Sequence, residues 1–195
     1  MEKEFLFLQE LEGLKLVERM NLTKSFRREN SAEHSWHAAM CALVLAPWID
    51  LPYDTDRVVK MLLIHDIVEI DAGDVSLYDD AGRLAAVEKE KRAAQRIFGL
   101  LGEDGEELLA LWREFEAMET NDARVAKAMD GFQPVLSYFT VGRRYRDIPV
   151  SKEQLLSKKK IIEEVAPRLY ERIVRWTEEK PALYPTEEEL RGGER

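Results

Sequence analysis

Apolar residues recur every three or four positions along most of this 195-residue chain. This spacing predicts amphipathic helices, with examples over 108–118 and 84–101. A similar pattern over 155–176 contains Pro167, which should divide it into two helices. No alternating run bounded by hairpin turns stands out, so we predict few strands. The pattern favours a single all-α bundle of about seven to nine helices.

One predicted helix carries ionisable residues on its apolar face. It should begin near Asp54 or Thr55, either of which is a suitable N-cap, and end near Ile70, with Gly73 in the exit turn. Its inward stripe has five members: Val58, Leu62, His65, Asp66 and Glu69. Burying ionisable groups is costly unless they are paired or bind a metal, so this stripe predicts a functional site.

Two other helices present polar groups on inward faces. His34 follows an Asn-Ser-Ala-Glu helix opening with a capping residue and an acid in the first turn. Asp130 lies in the middle of a helix predicted over 122–139, where aspartate is unfavourable without compensation. Taken alone, His34 is a hydrogen-bonded core histidine and Asp130 a structural aspartate.

Together with His65 and Asp66, His34 and Asp130 make a set of two imidazoles and two carboxylates. This set suits Mn²⁺, Fe²⁺, Co²⁺, Ni²⁺ or Zn²⁺ better than Ca²⁺. We therefore predict one metal site built from three stretches of the chain.

The net charge and the cysteine content limit the classes of function that this protein can have. The net charge of −9 argues against binding to nucleic acid polymers, although a small phosphorylated substrate needs only a few local cations. Cys41 is the only cysteine, so no intrachain disulfide can form, and a cytoplasmic location is expected. No apolar run approaches the ~20 residues that span a bilayer. We expect one domain over 1–180 and a frayed tail over 181–195.

The order His…His-Asp…Asp resembles the HD-domain metal-dependent phosphohydrolases. The resemblance is closer to their branch of small 5'-deoxynucleotidases and HD-domain-containing-2 proteins. It rests on three segments: LKLVERMNLTKSFRRENSAEHSW, LLIHDIVEIDAGD and LLALWREFEAMETNDARVAKAMD. These cover about 5–139 in matching order.

The resemblance implies a phosphatase that hydrolyses (deoxy)nucleoside 5'-monophosphates with one divalent metal ion per chain, Mg²⁺ being a further candidate, and that forms a homodimer. It implies these metal ligands: His34, His65, Asp66 and Asp130.

The same resemblance implies roles for further residues. Glu69 and Asp74 are the carboxylates linked to catalysis, and Arg19 belongs to the substrate pocket. Arg27 also matches a family position, where contact with phosphate or with a local carboxylate is expected. Met20 replaces the tryptophan of the bacterial relatives, which leaves the preference for deoxyribose over ribose open.

Several alternatives remain at this point. Glu69 is either a general acid/base or a group that orients a ligand histidine, and Asp74 either protonates the leaving oxygen or contacts the sugar. His37 matches no ligand position and is expected to be structural or to support a ligand. The whole chain could instead act on phosphodiesters, nucleoside triphosphates or alarmones. It could also be a helical interaction or metal-storage protein with a vestigial site.

Overall fold

The computed structural model describes residues 2–143 and 150–185, and these residues are mainly helical, as predicted. The α-helices, numbered in chain order, are α1 Lys3–Glu10, α2 Ser31–Val44, α3 Thr55–Ile64, α4 Glu69–Ala72, α5 Asp80–Gly99, α6 Gly105–Ala117, α7 Asn121–Val141, α8 Lys152–Ser157, α9 Lys160–Val165 and α10 Pro167–Glu179. If 55–72 is counted as one helix, the described residues contain nine, within the predicted number.

Helices α2, α3 and α7 pack against one another at the centre of the bundle. Their contact faces include small residues, such as Ala38 and Ala42 on α2 and Ala126 on α7, all fully buried. Small side chains let helix axes approach closely, and this brings polar groups on neighbouring helices within contact distance. Among the described residues, no helix has both the length and the apolar composition needed to cross a bilayer.

The helix that carries the polar stripe is interrupted at the site. Asp54 caps α3 by accepting hydrogen bonds from two backbone N–H groups of the first turn, which selects it over Thr55. A 3₁₀ turn, His65–Val68, then joins α3 to the single turn of α4. Gly73 follows with a φ of +78°, a conformation that glycine adopts without strain. Gly73 therefore lies in the exit turn, as predicted, and the helix ends at Ala72, two residues later than expected.

Two short strands precede α2 and were not predicted. β1 Glu18–Leu22 pairs in antiparallel fashion with β2 Arg28–Asn30. They lack an alternating apolar pattern because inward positions are polar: Asn21 is buried and donates a hydrogen bond to the carbonyl of Pro134. The hairpin ends at Asn30, whose side chain forms the expected capping box with Glu33.

The C-terminal region departs from the prediction in two places. Pro167 begins α10 as expected, but a second break at 158–159 separates α8 from α9. The tail is not frayed immediately after residue 180, because Leu183 and Tyr184 are buried and the Tyr138 hydroxyl donates to the Leu183 carbonyl. Residues 186–195 lie outside the described residues, as do residues 146–149, whose composition predicts a turn. The division at residue 180 stays a prediction.

Candidate active site

The four side chains predicted to bind a metal lie close together. Nε2 of His34 lies 3.0 Å from Oδ1 of Asp130 and 3.7 Å from Oδ2 of Asp66. Nε2 of His65 lies 3.0 Å from Oδ1 of Asp66 and 3.6 Å from Oδ1 of Asp130. The structure thus brings α2, the 3₁₀ turn and α7 together through these groups. Their action as ligands stays a prediction.

The contact of Nδ1 shows which ring nitrogen of His65 carries the hydrogen. Nδ1 lies 2.8 Å from the backbone carbonyl of Leu62. A carbonyl oxygen only accepts hydrogen bonds, so Nδ1 carries the hydrogen and donates it. In the neutral ring, Nε2 therefore presents a lone pair toward the carboxylates.

Gln133 shows in the same way which ring nitrogen of His34 carries the hydrogen. Its amide nitrogen donates to Glu29 at 2.8 Å, and because a carboxylate only accepts, the amide oxygen must face His34. That oxygen lies 2.6 Å from Nδ1 of His34, which therefore donates and, in the neutral ring, leaves Nε2 with a lone pair. His37 contacts the same amide nitrogen at 3.0 Å, so it supports the ligand histidine indirectly, within the role expected for it.

Bare ring nitrogens that face carboxylates are a poor arrangement without a positive charge between them. Nε2 of His65 is buried and has no hydrogen-bond partner, although carboxylate oxygens lie close by. Two atoms that each lie about 2.1 Å from a shared ion, 90° apart, are about 3.0 Å from each other. Ligand atoms of His34, His65 and Asp66 all lie within 4.8 Å of one another. These residues fit a divalent cation.

Arg19 links three carboxylates at the edge of this cluster. Its Nη1 lies 2.8 Å from Asp66, 3.3 Å from Asp74 and 3.5 Å from Glu69. Glu69 also accepts a 2.5 Å hydrogen bond from the Ser31 hydroxyl. The structure therefore places Glu69, Asp74 and Arg19 beside the four predicted ligands.

The surroundings shift the pKa values of the carboxyl groups in opposite directions. Burial and the charge of Asp66 raise the pKa of Glu69 well above its usual value. Burial also raises the pKa of Asp74, against the opposing charge of Arg19. Burial alone would raise the pKa of Asp130 as well, but the imidazoles of His34 and His65 hold it well below the usual range. One carboxylate is thus held ionised, and two others are suited to exchange protons.

The site opens into a cavity of about 570 Å³. Arg19, Met20, Glu69 and Asp74 line it, together with Phe115, whose ring packs edge-on against His65. Phe115 is 1% exposed, so it belongs to the core as well as to the cavity wall. The cavity wall therefore combines charged side chains with apolar ones.

The expected substrate contact of Arg27 is not supported. Its guanidinium forms an ion pair with Glu33, is 55% exposed and is not part of the cavity wall. The other expectation for Arg27, contact with a local carboxylate, matches this geometry. The difference arises because Arg27 lies next to the hairpin turn, whereas Arg19 lies on β1 and faces inward.

Sequence reasoning gave no role to Gln133 and did not consider Lys159. Gln133 follows Asp130 by three residues on the inward stripe of α7, and a buried amide on such a stripe could have indicated a partner for a ligand. Lys159 lines the cavity but is the middle residue of three consecutive lysines, which is typical of a solvent-exposed segment.

Similarity to known proteins agrees with this geometry. A profile of the HD domain matches residues 11–170. The human 5'-deoxynucleotidase HDDC2 is 31% identical over 111 residues, 56% of this chain and 53% of that protein. The 5'-deoxynucleotidase PM0747 of Pasteurella multocida is 27% identical over 128 residues, 62% of this chain and 66% of that protein. The matched region spans about half the length of the HDDC2 relatives.

Solved structures extend the similarity over nearly the whole chain. A predicted metal-dependent phosphohydrolase from Magnetospirillum magnetotacticum is 41% identical, with a TM-score of 0.85 and coverage of 94% of this chain and 95% of that one. A conserved hypothetical protein from Pyrococcus furiosus, 20% identical with a TM-score of 0.67, covers 88% of this chain and 99% of that one and shares the fold. The chain belongs to the HD-domain family.

Proposed function

We propose that this protein is a metal-dependent phosphomonoesterase that hydrolyses (deoxy)nucleoside 5'-monophosphates to nucleoside and phosphate. The observation that carries the proposal is the convergence of two bare imidazole nitrogens on two carboxylates, with Arg19, Glu69 and Asp74 beside them. The names of the HDDC2 relatives and of the bacterial phosphohydrolase support the same class of reaction.

His34, His65, Asp66 and Asp130 would hold one divalent cation, whose identity among Mn²⁺, Co²⁺, Ni²⁺, Fe²⁺, Zn²⁺ and Mg²⁺ is left to measurement. Such a cation polarises a phosphoryl oxygen and lowers the pKa of a bound water. Gln133 and the carbonyl of Leu62 hold the two rings with their Nε2 atoms toward the site. The protein's contribution is therefore a prearranged set of lone pairs.

Arg19 and the two catalytic carboxyls act on the substrate. The guanidinium of Arg19 binds phosphoryl oxygens through its planar set of donors, while its Nη1 lies 2.8–3.5 Å from the carboxylates. Glu69 accepts the proton of the attacking water, and Asp74 donates a proton to the leaving 5'-oxygen as the phosphorus–oxygen bond breaks. A raised pKa suits both groups because each must exchange a proton near neutral pH.

The nucleoside would occupy the less polar part of the cavity. Met20 and Phe115 are among the lining residues, and their side chains offer a 2'-hydroxyl nothing stronger than the weak thioether acceptor of Met20. We therefore infer a weak preference between ribose and deoxyribose.

A substrate panel tests the function. The metal-loaded protein should release free phosphate from paired ribo- and deoxyribonucleoside monophosphates, with rates for the two sugars within about tenfold. It should release neither pyrophosphate nor nucleotide from triphosphates, dinucleotides or alarmones. Exclusive release of the latter products would favour a different HD-type hydrolase. The homodimer and the cytoplasmic location stay predictions, which light scattering and cell fractionation would test.

A further inference from the structure

Lys159 is a buried lysine on the wall of the cavity. The residue is 3% exposed, and its ammonium forms no hydrogen bond or ion pair with any described residue. All three lysines of the run line the cavity, but Lys158 bonds to Asp80 at 2.6 Å and Lys160 is exposed. Only the middle lysine of the run is thus both enclosed and free to bind.

The break between α8 and α9 directs Lys159 inward, because α9 starts only at residue 160. The ammonium lies beside Gly131, where a Cβ atom would be 3.8 Å from Nζ. Gly131 directly follows Asp130, one of the proposed ligands. Lys159 therefore approaches the site along the turn of α7 that carries Asp130.

The charge balance of the site leaves room for such a cation. Asp66, Glu69, Asp74 and Asp130 supply four carboxyl groups, which face Arg19, the proposed divalent ion and Lys127, whose Nζ lies 4.0 Å from Asp130. A dianionic phosphate would add two negative charges to this site. Burial lowers the pKa of Lys159 to about 8, against the opposing charge of Asp130, so the lysine can carry a charge at neutral pH although no carboxylate among the described residues forms an ion pair with it.

We propose that Lys159 is a substrate-binding residue whose ammonium contacts the phosphoryl group of the bound monophosphate. The inference rests on the proposed phosphomonoesterase function. It adds a second protein cation, from a different part of the chain, to the one supplied by Arg19.

The phosphoryl group is favoured over the nucleobase for two reasons. The ammonium interacts electrostatically with Asp130 and Arg19, the charged groups nearest to the proposed metal. A buried cation also gains most from a full negative charge, whereas the edges of a nucleobase are neutral. Contact with the base is therefore the competing outcome of the test.

The test measures binding directly, so that it does not depend on turnover. Inorganic phosphate and deoxyadenosine are titrated separately into the Mn²⁺-loaded protein by calorimetry. The variants are Lys159→Met, Lys159→Gln and Lys159→Arg, with Lys160→Met as the matched control. Two neutral replacements protect against a folding failure of either one, and circular dichroism confirms the fold of each.

Both neutral variants should bind phosphate about tenfold more weakly or worse, while Lys159→Arg and Lys160→Met stay within about threefold of the parent. Deoxyadenosine binding should not change in any variant. Unchanged phosphate affinity, or a loss confined to deoxyadenosine, overturns the inference. If the substrate panel shows no hydrolysis but phosphate binding still requires the charge at position 159, the proposed function fails and the anion contact stands.

Discussion

Replacing Lys159 with methionine should stabilise the fold at neutral pH. Burial lowers the pKa of this lysine from its ordinary value of 10.5 to about 8. Each pKa unit corresponds to about 1.4 kcal/mol, so keeping the charge inside the folded protein costs up to about 3 kcal/mol. Methionine fills a similar volume without that cost. For a domain of this size, the gain equals a rise in Tm of about 6–12 °C.

The pH dependence distinguishes this cause from better packing. The pKa of Lys159 is lower in the folded than in the unfolded protein, so between about pH 8 and 10.5 the unfolded state binds more protons. The destabilisation is therefore complete below pH 8 and is relieved as the pH rises toward 10.5. The methionine variant should exceed the parent in stability at pH 7, and the difference should shrink across this interval.

Denaturant unfolding of metal-free protein at several pH values between about 7 and 10.5 measures this difference. Lys160→Met is the control, since an exposed substitution should change the free energy of unfolding by less than about 0.5 kcal/mol at any pH. A methionine variant that is less stable than the parent at pH 7 would refute the reasoning. So would a stability gain that does not change with pH.

Four further variants test individual contacts. Gln133→Leu should lower Mn²⁺ affinity about 10–100-fold, because the ligand imidazole loses its acceptor; unchanged affinity in a metal titration would contradict this role. Glu69→Gln should retain metal but lose about 10²–10⁴-fold in kcat, and near-normal turnover would remove its assignment as proton acceptor. Asp74→Asn should lose much more activity on a nucleoside monophosphate than on 4-nitrophenyl phosphate, whose leaving group needs no proton. Equal losses on both substrates would assign Asp74 another role. Arg27→Ala should leave KM within about twofold, since Arg27 pairs with Glu33 outside the cavity, and a large rise in KM would restore it as a substrate contact.

The helical fold and the convergence at the site were predictable from periodicity. His65 and Asp66 follow Val58 and Leu62 on one apolar stripe, and a stripe that turns inward must carry its polar members with it. A mid-helix Asp130 likewise required compensation, and the structure supplies it from His34. Such predictions work because an amphipathic helix has only one buried face, so all residues on that face are buried together.

Other features depended on tertiary contacts that periodicity does not encode. The strand Glu18–Leu22 has no alternating apolar pattern, because its inward residues bond to α7 and to the carboxylates of the site. The inward direction of Lys159 follows from a helix break without proline or glycine. The ion pair of Arg27 with Glu33 outside the cavity could not be predicted either, because a matching sequence position does not reveal which side of a hairpin faces the cavity.

The most direct test of the central claim is the stoichiometry and affinity of Mn²⁺ binding, measured by equilibrium dialysis with elemental analysis. The parent protein should bind one ion per chain. His65→Ala and Asp130→Ala, which remove donors from two different elements, should each weaken binding by at least tenfold. A parent that binds no ion, or variants that bind it as tightly as the parent, would contradict a shared metal site.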